Sequence, residues 1–315
     1  VPLDPITAII DAFRTHDIVA LDEGRHNNEQ GYEFRLALIC NPRFAATVND
    51  IVVESGSSTH QAVMDRFIGG ESVPDKELRQ TWQDTTQADG TWDIPMYEEF
   101  FTAVRAVNAS QAACTARRPA LRLGARDARG FASDQPAARS VRGGADSTRG
   151  LRQEAACASS FMVTCISRGG LRSVARISSR DSWRRQARVL TIWTHTTTAD
   201  LQTLQPDIST WRTPSLAFTA GTSLGAASFS VYRAGGGSDP VRMEEQFDAV
   251  LYLGPPSSIT IRRSEIAPSL CADADYMKMR LSRMALMDPP GATPPPGVVS
   301  PAERLPRYCE PVVTR

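Results

Sequence analysis

Asp17-Ile18-Val19-Ala20-Leu21-Asp22-Glu23-Gly24-Arg25-His26-Asn27-Asn28, taken with Ile51-Val52-Val53-Glu54 some thirty residues later, points most directly to the architecture. Each opens with a short unbroken apolar run rich in β-branched residues and ends in polar residues, the pattern of a strand buried on both faces. Between them, Phe34, Ala37 and Leu38 fall on one face of a helix spanning about 28 to 40, which Asn41-Pro42 ends. Strand, crossover helix and strand make a β-α-β unit, whose two strands are parallel and are expected to be neighbours. The expected fold class is therefore α/β: a three-layer core of parallel sheet with helices on both faces.

On either side of this unit, Ile9 to Thr15 suits a short helix, as do 59 to 68 and 95 to 108. In the last of these Pro95 stands in the first turn and Tyr97, Phe100, Phe101 and Val104 share a face. Trp82, Trp92 and Tyr97 read as core or loop anchors. Further along, Val189-Leu190-Thr191-Ile192-Trp193 and Phe247 to Pro255 read as strands, and Tyr276 to Leu286 as a helix. Residues 1–110 and 189–286 are thus expected to be the two parts of one α/β domain, with 287–315 a tail whose prolines, Pro289 to Pro306, favour extended chain.

Residues 111–188 differ in kind. They hold sixteen arginines, no lysine, five acids, and no Tyr, Asn or His, and no strand or helix period persists. Disorder is the expectation for the segment. An arginine-rich nucleic-acid arm would interleave aromatic residues and glycines at regular spacing, a pattern this segment lacks, so nucleic acid is not an expected partner. Arg, Ala, Ser and Gly are also what a GC-rich gene yields when translated out of frame. The frame that starts on the third base of each codon through Ser160 to Ile166 permits a strand ending in Tyr-Gly-Asp-Met-His. A frameshift near residue 111, compensated near 188, accounts for both features.

The chain has 315 residues, 41% of them hydrophobic, enough for a buried core, and 35 basic residues balance 35 acidic ones. No apolar run is long enough to span a membrane. The start, Val1-Pro2-Leu3-Asp4, lacks the regions of a signal peptide and an initiator Met, as a trimmed or mature form would. The compartment is open between cytoplasmic and exported with the signal removed, and nothing in the sequence fixes an oligomeric state. The six cysteines show no C-x-x-C pair and read as buried or incidental thiols; the four histidines show no H-E-x-x-H.

Ligands of open parallel sheets bind beyond the carboxyl ends of the strands. Glu23 and His26 leave the first strand there and Glu54 leaves the second, within reach of one another if the strands are neighbours. A carboxylate beside an imidazole raises its basicity and fixes its tautomer, as a general base requires. Arg35, on the intervening helix, can hold Glu54 or polarise a substrate carbonyl. Equally, Glu23 and Glu29 can serve the helix dipole and His26 can be a surface residue. His195 ends a later strand, while His16 and His60 fall on helical segments and read as structural.

The same residues, Ala20-Leu21-Asp22-Glu23-Gly24-Arg25-His26, then Phe34-Arg35, then Ile51-Val52-Val53-Glu54, resemble the opening motif of the erythromycin esterase and ChaN-like superfamily. There a strand precedes Gly-Glu-x-x-His, a helix carries Phe-Arg, and a second strand closes in Glu. The resemblance covers residues 15 to 56 closely and extends to the character of 188 to 286. It implies a bacterial hydrolase acting on a small ester or lactone, with His26 the base that activates water, Glu23, Arg35 and Glu54 its charged partners, and no obligatory cofactor. A haem- or metal-binding module of the ChaN-like branch is the alternative. In two places the chain departs from the pattern. Asp22 stands where the family carries Gly, and the family's second Gly-x-x-His appears only in the neighbouring frame at 160 to 166. The expected molecule therefore has an incomplete site and impaired activity.

Overall fold

A computed structural model of the chain describes residues 1–85, 90–114, 122–125, 163–166, 188–195, 208–229, 241–262, 266–287 and 301–310. Helix α1 (Pro5–Ala12) starts on Asp4, whose carboxylate accepts from the Thr7 N–H at 2.8 Å, with Pro5 in the first turn. Strand β1 (Ile18–Leu21) follows, then α2 (Glu29–Ile39), capped by Asn28 through the Gly31 N–H at 3.2 Å. The Asn41-Pro42 pair that ends α2 also starts a new helix, α3 (Pro42–Thr47), because Asn41 caps it and Pro42 supplies its first residue. Then come β2 (Asp50–Val53), α4 (Gln61–Ile68), α5 (Asp75–Gln83) and α6 (Pro95–Cys114).

Among the described residues the main sheet has seven strands in the order β3-β2-β4-β1-β5-β9-β6. Besides β1 and β2 these are β3 (Arg122–Ala125), β4 (Val163–Ile166), β5 (Val189–His195), β6 (Ser215–Phe218) and β9 (Ala249–Tyr252). A separate pair joins β7 (Ser228–Phe229) to β8 (Val241–Arg242). Strands β1, β2, β3, β5 and β9 run one way, and only β4 and β6 oppose them. The chain is an α/β fold, as the β-α-β reading predicts, with a sheet that is mostly parallel rather than wholly so.

The expected adjacency of β1 and β2 is corrected. They are parallel, but β4 lies between them, pairing Ile166 with Ile18 on one side and with Asp50 on the other. This sets the two strands about 10 Å apart, two strand spacings. A β-α-β connection fixes handedness and direction, but it does not prevent a later strand from being inserted. Strands β3 and β4 both fall within the arginine-rich span 111–188, where no period announces them. At these two strands, and at 111–114 where α6 ends, the chain is ordered rather than disordered as expected; apart from these and Arg188, the rest of that span, and most of the residues on which the frameshift reading rests, lie outside the described residues.

Alternation along the strands separates two cores. Val19, Leu21, Ile51, Val53, Leu190, Ile192 and Leu251 enter the larger one under α1 to α6. On the opposite face Trp193, Ala217 and Val250 pack with Leu224, Met243 and Phe247, which come from or adjoin the one-turn helices Ser223–Ala226 and Met243–Gln246.

At the C-terminal end the helix Ala274–Met287 is followed by the helix Pro301–Arg307. Leu305 is fully buried against Ile266, Leu270, Tyr276 and Met284, so this part of the proline-rich tail is folded rather than extended. Residues 288–300 lie outside the described set. Cys271 and Cys309 form a disulfide, which corrects their reading as thiols, while Cys40 is a free, exposed thiol. Among the described residues no helix is long and apolar enough to cross a membrane.

Candidate functional site

The polar residues after β1 turn sharply at the carboxyl edge of the sheet. Pairing with β5 continues past Leu21: the Asp22 N–H donates to the Ile192 carbonyl at 2.9 Å, and the Thr194 hydroxyl donates to the Asp22 carbonyl at 2.5 Å. Gly24 (φ 74) and Asn27 (φ 65) then take left-handed backbone conformations, natural for Gly and tolerated by Asn. This folds the chain back so that His26 faces Glu23, three residues before it.

Glu23 is buried, its side chain only 2% exposed, and it is held from three directions. The His26 Nδ1–H donates to Oε2 at 2.5 Å, the Tyr97 hydroxyl on α6 donates to Oε1 at 3.0 Å, and the Arg35 guanidinium on α2 stands 3.5 Å from Oε1. The His26 side chain is 43% exposed, so the ring is tied at Nδ1 to a fixed carboxylate while part of it meets solvent. Burial works against protonating His26. The hydrogen bond to Glu23 and the charges of Glu23, Glu54 and Asp22 together outweigh it and raise its pKa above the ordinary imidazole value. Thus Glu54 acts on His26 through its charge although β4 separates their strands.

Trp92 walls the imidazole, and Tyr97 backs Trp92. Trp92 stands edge-on to His26 at 5.1 Å between ring centroids and edge-on to Tyr97 at 4.9 Å. Trp92 is fixed by its neighbour Asp93, a buried carboxylate that accepts from Arg280 Nη2 at 2.5 Å, Tyr276 Oη at 2.5 Å and Gln83 Nε2 at 3.1 Å. Tyr97 and Trp92 read from sequence as anchors, and they are buried; what sequence did not reveal is that Trp92 also packs on the candidate base and Tyr97 on its carboxylate. A buried aromatic carries no mark of what its edge will touch.

Asp22 is likewise buried. Desolvation drives its carboxyl up to about 7, against the lowering effect of the Gly24 and Thr194 N–H groups. At the end of β5, His195 is completely buried against Trp193 and Tyr252, and among the described residues neither ring nitrogen has a hydrogen-bond partner. Burial alone lowers its pKa to about 4, so it is neutral at physiological pH. By strand alternation His195 shares its face of β5 with Trp193, opposite the face on which Glu23, Tyr97 and Arg35 lie. His60 pairs with Asp84 at 2.6 Å, and Arg283 also holds Asp84, which ties the start of α4 to the helix Ala274–Met287.

The site residues read from sequence therefore converge in part. Glu23, His26 and Arg35 meet directly, and Glu54 joins through its field. Among the described residues no three His, Cys, Asp or Glu side chains gather in a metal-binding arrangement. No family model, curated protein or solved structure matches the chain.

Proposed function

We propose that this chain is a hydrolase of the erythromycin-esterase-like type, acting on a small ester or lactone with His26 as general base. The observation that carries the reading is the Glu23–His26 pair, a wholly buried carboxylate bonded to Nδ1 of a half-exposed imidazole. With the Nδ1 proton committed to Glu23, the lone pair resides on Nε2. Nε2 takes a proton from water as the water oxygen attacks the ester carbonyl carbon. When the tetrahedral adduct collapses, the imidazolium returns that proton to the departing alkoxide, giving acid and alcohol. Tyr97 and Arg35 hold Glu23, and Glu23 holds and charges His26. Arg35 serves here as a support for Glu23.

The second Gly-x-x-His of the resembled family is absent from the chain as translated, so turnover is expected to be slow. The experiment is hydrolysis of p-nitrophenyl acetate by the full chain and by His26→Ala. A fall of about 10²-fold or more in kcat/KM is expected in the variant. Equal rates in the two proteins would remove the reading. The metal-binding form of the alternative has no gathered donor set among the described residues in its favour.

A further inference from the structure

The turn that carries His26 is gripped from outside by a segment more than two hundred residues distant. After β9 the chain passes Gly254 and a one-turn helix, Pro256–Ser258, and then lies across the start of α2. The Arg262 N–H donates to the Asn27 carbonyl at 2.9 Å, and the Glu29 N–H donates to the Thr260 carbonyl at 3.0 Å. Asn28 and Ile261 form an antiparallel bridge. Side chains double the grip. Gln30 accepts from the Thr260 N–H at 2.8 Å and donates to its hydroxyl at 3.3 Å, while Arg262 Nε donates to Glu29 Oε1 at 2.5 Å.

The residue so held, Asn27, directly follows His26 and has the left-handed φ of 65, a conformation that costs a non-glycine residue about 1 kcal/mol and persists only where its surroundings enforce it. On its inner side the Asn27 N–H is bonded to the Tyr97 hydroxyl, the same hydroxyl that donates to Glu23. The turn is thus clamped between α6 within and the 259–262 strap without. If the outer jaw is lost, Asn27 can relax to negative φ, and the His26 ring swings off a carboxylate that cannot follow it.

We infer that Gln30, Glu29 and Arg262 are positioning residues that hold the His26 turn closed on Glu23 through the 259–262 strap. This rests on the hydrolase reading for its kinetic consequence but not for its geometric one. The test compares wild type, Gln30→Ala, Arg262→Ala, the double variant and Arg262→Lys in two readouts: p-nitrophenyl acetate kinetics and NMR titration of the His26 imidazole. These side chains lie at the surface, and unchanged circular dichroism and melting would show that the variants fold.

The double variant is expected to lose about tenfold in kcat with KM changed less than about twofold. Its His26 titration is expected to move down toward that of a free imidazole, as the hydrogen bond and the charge of Glu23 recede, and Arg262→Lys to lose much less of both than Arg262→Ala. An unchanged His26 titration in the double variant overturns the inference. Turnover lost in His26→Ala but unaltered in the double variant overturns it too while leaving the hydrolase reading intact. Absence of His26-dependent turnover in every protein removes the hydrolase reading, and the titration then decides the clamp by itself.

Discussion

Glu23 and Asp22 are consecutive buried carboxyl groups with different support. Glu23 receives a phenol, an imidazole and a guanidinium in place of water. Asp22 receives backbone N–H groups, the one from Thr194 at a long 3.3 Å, and burial raises its carboxyl from 3.8 to about 7. A carboxyl whose folded pKa exceeds its unfolded one binds its proton more tightly in the folded state. Its contribution to stability is complete below pH 3.8 and is lost as pH rises through about 7. Asp22→Asn is therefore expected to be more stable than wild type at pH 8, by about 1–3 kcal/mol in urea unfolding, with the advantage shrinking toward pH 4. The site's first pair was legible because Glu23 and His26 are three residues apart after an apolar strand. Asp22 was legible only as a departure from a motif, since its burial depends on β5, which lies 170 positions away in the chain.

Secondary-structure elements are marked in the sequence by local signals, whereas their long-range pairings are not. Asn28 and Pro42 mark the ends of α2 in sequence as in structure, because caps and prolines act on their own neighbourhood. β4 carries no comparable sign, and its insertion between β1 and β2 is a contact over more than a hundred residues. Helix α5 went unread because only Leu78 and Trp82 interrupt its polar run. The helix Ala274–Met287 was readable, but its role was not: Arg280 and Tyr276 reach Asp93 and so fix the Trp92 wall beside His26. Both Arg280 and Asp93 are fully buried, so removing one partner strands the other charge without solvent. Arg280→Ala is expected to destabilise the protein by about 3–5 kcal/mol in denaturant titration.

Across the whole molecule, the sheet is completed by strands from both ends of the chain: β1 pairs with β5, and β5 with β9. The same union builds the site, since the His26 turn is contributed by the first thirty residues and its outer clamp by residues 259–262. The Cys271–Cys309 disulfide fastens the last described helix to this body across 38 residues. Loop closure of that length is worth about 3–4 kcal/mol, so Cys271→Ser/Cys309→Ser is expected to lose about that much against the oxidised protein. No spacing of the six cysteines marked this pair, because the pairing depends on how the C-terminal helices pack. The most direct measurement of what unites these levels is the NMR titration of His26 in wild type and in Glu23→Gln. A buried Glu23 that holds and charges the imidazole predicts a wild-type midpoint above that of free histidine, with the Nδ1-protonated tautomer in the neutral form, and a clear fall in Glu23→Gln. The same midpoint and tautomer in both proteins would contradict it.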